Sequence, residues 1–219
     1  VMDITIPPAT DDDITGTVAV MGGDDLRRWT EALLDADALA EGARVVSFSY
    51  LGPDLTWPIY RSGTIGRAKE DLERTTAHLD ALLQTRIGGH AYVSINKAVI
   101  TQSSSAIPIV PLYLSLLYRV MKERGVHEDP IHQMVRLFRD HIGPDQAPTL
   151  AEARRIRLDD RELTSDIQAE IRRRWALITT ENLHELAGYD DFKRGFRQLF
   201  GFEVDGVDYS EAVEVEAEI

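Results

Sequence analysis

The sequence predicts an α/β protein built on a parallel sheet. Residues 44–50 (RVVSFSY) and 91–100 read as buried strands, rich in β-branched and aromatic side chains. Between them, residues 64–85 carry a helical pattern that Gly88-Gly89 breaks. Strand, helix, strand is the order a parallel pair requires. A third observation bounds the reading. Only two or three strands are evident against a large amount of helix, too few for a self-sufficient doubly wound sheet. The chain is therefore expected to be part of a larger domain.

The remaining elements follow from local signals. Residues 3–6 read as the end of a strand that Pro7 and Pro8 stop. Thr10 followed by Asp11, Asp12 and Asp13 is an N-cap with an acidic first turn, so a helix should run to about Val20 and end at Gly22-Gly23. A second helix carries Leu26, Trp29, Leu33 and Leu34. A loop with Gly52, Pro53 and Pro58 leads into the long helix. Residues 103–111 form an irregular link, and residues 112–123 an apolar helix. Asp129-Pro130 caps a helix over 131–141. Residues 143–160, with Pro144 and Pro148, read as a loop with room for one helical turn. Ser165 opens a helix expected to reach Ala187, with Ile167, Ile171, Trp175, Ile178 and Leu183 near one face. Residues 189–200 form the last helix. From Glu203 onward there are seven acidic residues and no basic one, which predicts a mobile tail over 203–219 after a folded unit over 1–202.

Composition excludes several classes. With 219 residues, 43% of them hydrophobic, the chain can bury a sizeable core. Lys+Arg number 24 against 37 Asp+Glu, a formal charge of −13. Such a chain repels phosphate backbones and anionic bilayers, so neither nucleic acid nor a membrane is expected as partner. The densest basic run, Arg172-Arg173-Arg174, sits in a mixed-charge helical pattern and reads as a solvated face. Cysteine is absent, which removes disulfides, thiol nucleophiles and thiolate metal sites. Residues 106–117, the longest apolar run, contain Ser115 and two prolines and fall short of the ~20 residues of a spanning helix. No signal peptide is expected from Met2-Asp3-Ile4 and the polar sequence after it, and the expected location is cytoplasmic.

Common site motifs are missing. There is no G-x-G-x-x-G, P-loop or G-x-S-x-G elbow. His127 and His132 are five apart with Pro130 between them, and His184-Glu185 lacks a second histidine, so no metal is expected. Ser103, Ser104 and Ser105 read as loop or cap serines.

One pair carries chemistry. Tyr60 and Lys69 have eight residues between them. A tyrosine can donate a proton to an oxygen that gains charge, and a nearby lysine can hold a nucleotide ribose and favour the phenolate. On one regular helix this spacing puts the two on opposite faces, ~13.5 Å apart along the axis. Gly63 and Gly66 permit a bend, so Tyr60 should lie at or before a helix start and Lys69 within it, with Thr64 as the cap. A packed tyrosine beside a solvent-facing lysine is the bland alternative. Against it, lysine is scarce: Lys69, Lys97, Lys122 and Lys193 stand among twenty arginines.

Further words of the sequence carry a resemblance. They are Ser47-Phe48-Ser49-Tyr50, Leu55-Thr56-Trp57-Pro58-Ile59-Tyr60, Gly63-Thr64-Ile65-Gly66-Arg67-Ala68-Lys69-Glu70-Asp71-Leu72, Lys97-Ala98-Val99-Ile100-Thr101-Gln102, Ser104-Ser105-Ala106-Ile107-Pro108, Pro111-Leu112-Tyr113-Leu114-Ser115-Leu116-Leu117, Leu199-Phe200-Gly201-Phe202 and Gly206-Val207-Asp208-Tyr209. With them the chain resembles, over nearly its whole length, the C-terminal half of the single-chain FabV-type enoyl-acyl-carrier-protein reductases and the related trans-2-enoyl-CoA reductases. The resemblance implies the C-terminal part of a Rossmann-type, short-chain-reductase-like parallel sheet with additional helices. It implies NADH as cofactor and an enoyl-CoA or enoyl-acyl-carrier-protein as substrate, reduced at its trans-2 double bond in fatty-acid synthesis. Tyr60 matches the proton donor, Lys69 the cofactor-binding lysine and Tyr50 a substrate-contacting tyrosine. Ala98, Val99, Ile100 and Thr101 match a strand-end segment at the nicotinamide end of the cofactor. Residues 112–118 and the link before them would line the acyl pocket, with Tyr189 a further candidate. The family's N-terminal half, with its glycine-rich dinucleotide loop, is not in this sequence and is an expected partner; otherwise a monomer is expected. Two alternatives stand beside this reading: a catalytically incomplete module that binds a partner or an acyl group, and a reductase of another carbonyl substrate.

Overall fold

The computed structural model describes residues 1–143, 146–212 and 214. Three parallel strands form its sheet: β1 (Arg44–Ser49), β2 (His90–Ile95) and β3 (Arg155–Arg157), in the order β1-β2-β3. The register pairs Arg44 with His90 through Ser49 with Ile95, and Val93 with Arg155. Ten α-helices accompany it among the described residues: α1 (Asp11–Met21), α2 (Asp24–Asp35), α3 (Trp57–Tyr60), α4 (Thr64–Ile87), α5 (Gln102–Ala106), α6 (Val110–Glu123), α7 (Pro130–Leu137), α8 (Ser165–Trp175), α9 (Leu183–Leu186) and α10 (Tyr189–Gln198). A π-helical turn, Phe138–Ile142, prolongs α7.

Helices cover both faces of the sheet. On one face α4 crosses from β1 to β2 and packs Leu79 and Leu83 on Ala91, with Leu34 of α2 behind them. Three polar residues on the buried side of α4 all bond to the sheet or its flanks. Thr76 pairs with Ser47 at 2.8 Å, Glu73 takes the Arg155 guanidinium at 2.6 Å, and Asp80 accepts the Ala91 amide at 3.0 Å. Buried polar groups persist only when paired in this way. The helix stops where Gly88 takes φ +63°, a left-handed C-cap that suits glycine. On the other face Tyr92, Leu137, Ile142, Ile156 and Leu158 pack together. A third core surrounds α6, whose Tyr113, Leu114, Leu117, Val120 and Met121 meet Ile167 and Ile171 of α8 and Phe192 of α10.

The α/β class and the order β1, α4, β2 agree with the sequence reading. Several elements differ. Residues 3–6 form no strand: none among the described residues pairs with them, and Ile4 and Ile6 are exposed. β2 ends at Ile95 rather than residue 100. Asn96 N–H still donates to Ser49 O, and beyond it the backbone takes side-chain partners instead of a ladder: Lys97 N–H donates to Gln133 Oε1, Ala98 N–H to Glu162 Oε2 and Ile100 N–H to the Tyr118 hydroxyl. The helix from Ser165 stops at Trp175, not Ala187. Asn182 closes a turn there by accepting from Thr179 N and donating to Leu177 O. The link 103–111 contains α5, capped by Thr101. The expected loop 143–160 hides β3. α4 is capped by Gly63 rather than Thr64. Asp129 does cap α7, accepting from His132 N at 2.8 Å.

The acidic tail begins tied down. The Tyr209 hydroxyl accepts from Val204 N–H and donates to Gly201 O, and Arg197 pairs with Glu203 at 2.7 Å. Val213 and residues 215–219 of that tail, like Pro144 of the loop, lie outside the described residues.

Candidate active site

A corner of the chain brings Tyr60 and Lys69 together. A 3₁₀ turn at Asp54–Thr56 feeds α3, which ends at Tyr60, and α4 starts at Thr64. Trp57 anchors the corner: its indole N–H donates to Gly52 O at 3.1 Å, and the Arg61 guanidinium lies over its ring at 4.4 Å. Gly66 makes the bend possible. A Cβ there would stand 2.2 Å from the Arg61 carbonyl oxygen. Tyr60 thus sits at the end of a short helix and Lys69 in the second turn of the next, as the spacing argument requires.

The two side chains line one cleft of about 290 Å³ beyond the carboxyl ends of β1 and β2. This is where open parallel sheets bind ligands. Tyr50 stands beside Tyr60, ring edge to face, with centroids 4.9 Å apart. Ala98, Val99 and Thr101 also line the cleft, together with Ile107, Val110, Tyr113 and Leu114. Ile100 does not. Its side chain is buried against the α6 core, and its amide is held by the Tyr118 hydroxyl at 3.3 Å. Tyr189 packs against the same core.

Neither the Tyr60 hydroxyl nor the Lys69 ammonium has a hydrogen bond or ion pair among the described residues. Burial raises the Tyr60 pKa, and the negative charge of Glu162 adds to the rise. Burial lowers that of Lys69, while Glu73 opposes the shift. A half-buried cation without a partner is costly unless a ligand supplies one.

Residues outside the predicted set complete the cleft. Glu162 is fully buried, and burial raises its pKa against the hydrogen bonds that hold its charge. It accepts from the Tyr113 hydroxyl at 2.6 Å, the Tyr50 hydroxyl at 2.8 Å and the Ala98 amide at 2.7 Å. Lys97 is 1% exposed, and its ammonium donates to Ala98 O at 2.7 Å and lies 4.3 Å over the Tyr118 ring. Burial brings its pKa down to about 8, with Glu162, Glu128 and Asp129 opposing. Its sequence signal was its scarcity as a lysine after an apolar strand. Glu162 gave none.

His127 backs this network, edge-on to Tyr118 with centroids 4.5 Å apart. Burial first, then the charge of Lys97, brings its pKa down to about 4 from 6.5. The unfolded chain therefore binds a proton that the folded chain refuses between those values, and stability falls as pH drops from 6.5 toward 4. Replacing His127 with phenylalanine is expected to keep the ring contact and flatten that limb of the stability curve. Urea midpoints from pH 4 to 7 check this; an equally steep loss in the variant would contradict it.

A parallel sheet covered by helices on both faces, with a cleft beyond the carboxyl ends of its strands, is a Rossmann-type α/β arrangement. The chain belongs to the trans-2-enoyl-CoA reductase family: the model described as "Trans-2-enoyl-CoA reductase catalytic region" matches residues 1–142. A second model, "Enoyl reductase FAD binding domain", matches residues 150–213. The chain is 50% identical over 215 residues to a trans-2-enoyl-CoA reductase [NADH] of Clostridium perfringens, and 50% identical over 214 residues to an enoyl-[acyl-carrier-protein] reductase [NADH] of Opitutus terrae. Each match covers 98% of this chain and 54% of the relative, so the chain spans about half the length of the curated relatives it matches. Among solved structures, the Clostridium acetobutulicum trans-2-enoyl-CoA reductase in complex with NADH superposes with a TM-score of 0.90 at 43% identity, over 94% of this chain and 52% of that one. The Treponema denticola trans-2-enoyl-CoA reductase in complex with NAD gives 0.88 at 39% identity, over 94% and 51%. No helix among the described residues is long and apolar enough to cross a membrane.

Proposed function

We propose that this chain is the catalytic half of an NADH-dependent reductase that saturates the trans-2 double bond of an enoyl thioester, on CoA or on acyl carrier protein, in cytoplasmic fatty-acid synthesis. The observation that carries the reading is that Tyr60 and Lys69 line one cleft at the strand ends, neither polar group having a hydrogen bond or ion pair among the described residues. The residues fit the cofactor. Lys69 would hold the ribose, and Ala98, Val99 and Thr101 would flank the nicotinamide end. NADH, when bound, supplies the hydride for the β-carbon.

The chain's own groups handle the oxygen and the proton. The Tyr60 hydroxyl, kept protonated by its burial, donates its proton to the thioester oxygen as the double-bond electrons collect there; the enol then returns to the thioester as the α-carbon takes up one proton from water and the oxygen gives its own back to the Tyr60 phenolate. Lys69, on the same cleft, would hold the cofactor and add a positive charge that favours the transfer. Ile107, Val110 and Leu114 give the cleft an apolar wall suited to an acyl chain and exclude water from the reacting carbons.

The test is NADH oxidation with crotonyl-CoA, crotonyl-acyl carrier protein and a simple ketone. The assay uses the purified chain alone and joined to the remaining half of the Clostridium perfringens relative. Turnover of the thioesters but not the ketone is expected from the joined protein. Turnover of the ketone alone would reject the thioester assignment, and no turnover in either form would favour a binding module. Lys69→Ala is expected to weaken NADH binding at least about tenfold, a loss of ~1.4 kcal/mol, measured by titration calorimetry on the joined protein. An unchanged affinity removes Lys69 from the cofactor site.

A further inference from the structure

We infer that Glu162 is a positioning residue of this cleft, whose buried carboxylate takes the hydroxyl protons of Tyr50 and Tyr113 and anchors the Ala98 amide. The inference rests on the reductase reading for its consequence, but its geometry stands alone.

Every polar group facing this carboxylate is a donor. One oxygen, Oε1, receives the two phenols at 2.8 and 2.6 Å, and the other, Oε2, receives the Ala98 N–H at 2.7 Å. An ionised carboxylate offers only acceptors, and three charge-assisted hydrogen bonds offset much of the cost of burying it. The carboxylate's own backbone is fixed as well. Gln168 donates one amide to Glu162 O at 2.8 Å and to the Tyr113 hydroxyl at 3.2 Å. The group therefore joins three separate parts of the cleft wall: the residue after β1, the loop after β2 and helix α6.

The consequence concerns proton direction. Tyr50 and Tyr60 are neighbouring phenols in one cleft, and either hydroxyl could face a substrate oxygen. The Tyr50 hydrogen is committed to Glu162, which leaves Tyr50 no hydrogen to offer a substrate oxygen. Tyr60 keeps its hydrogen for the substrate. Anchoring Ala98 also fixes the strand-end segment that begins the cleft floor. Glu162 touches neither substrate nor cofactor; it acts through these partners.

Two experiments test this. The first needs no cofactor and uses the 219-residue chain. Glu162→Met removes the acceptor at similar volume. Hydrogen exchange of the Ala98 amide is expected to quicken at least tenfold, while the β2 amides of Tyr92 to Ile95 keep their rates. Wild-type protection at Ala98 overturns the anchor, and so does equal acceleration throughout β2, which marks a general stabiliser. The second uses the joined reductase. Glu162→Gln keeps the volume but leaves one acceptor oxygen where two are used, so its NH₂ group must face either the phenols or the Ala98 N–H. A kcat about tenfold lower is expected, with KM for NADH changed less than about twofold and partial recovery in Glu162→Asp. An unchanged kcat, or Asp no better than Gln, overturns the positioning role. Should the methionine variant not fold, the Gln and Asp pair decides. If the unaltered joined protein fails to turn over, the reductase reading has failed and the exchange experiment alone judges Glu162.

Discussion

Replacing Tyr60 with phenylalanine is expected to lower thioester turnover by about 10²–10⁴-fold, the range for removing a positioned general acid. NADH affinity should stay within about twofold, because the lost group acts on the oxygen that gains charge and not on the bound ground state. Phenylalanine keeps the ring that packs on Tyr50 and deletes only the hydroxyl. The pH dependence carries an independent signature. The acid form is the active one, so turnover is lost as pH rises through the Tyr60 pKa. Burial and Glu162 raise that value above 10.0, so the alkaline limb should lie above the ordinary phenol range. In the phenylalanine variant the limb should disappear with the activity. Steady-state rates across pH check both features, and a variant that turns over at the parental rate would falsify the proton-donor assignment.

How far the site could be read from sequence depends on how local each contact is. The Tyr60–Lys69 corner was legible because its parts lie within ten residues and two glycines mark the bend. β1, α4 and β2 were legible because each runs six residues or more with a clear period and a terminating signal. β3 was not, since it is three residues long and only its Ile156 is buried. Flanking arginines gave it the look of a loop. The end of β2 was misplaced because apolar residues continue to Ile100 while the ladder stops at Ile95. What ends the ladder is a set of side chains far away in sequence: Gln133, Glu162 and Tyr118. Glu162 is the extreme case. It lies 112 residues from Tyr50 in an acidic and basic run, Asp159-Asp160-Arg161-Glu162, that reads as solvated surface. Its burial is a property of the assembled fold, and no local pattern announces it.

The corner itself makes a sharper claim than its residues do separately, and Gly66→Ala measures it. Two effects oppose each other. Alanine within a helix is favoured over glycine by about 1 kcal/mol, which alone would make the variant more stable. Against that, the new methyl would meet Arg61 O at 2.2 Å, its carbonyl carbon at 2.5 Å and its Cα at 2.8 Å. All three are backbone atoms, so no side-chain rotation relieves the contact, and overpacking of this kind costs about 1–3 kcal/mol. The clash should win, lowering the melting temperature by a few degrees for a chain of this size. The larger effect should fall on chemistry. Relief requires Arg61, the residue that follows Tyr60, and Gly66, three positions before Lys69, to move apart. A shift near 1 Å between a proton donor and its neighbour can cost about 100-fold in rate. Turnover is therefore expected to drop far more than the stability loss explains, with both measured on the same preparation. A variant that melts normally and turns over normally would mean that the bend is incidental and that Tyr60 and Lys69 do not act as one unit.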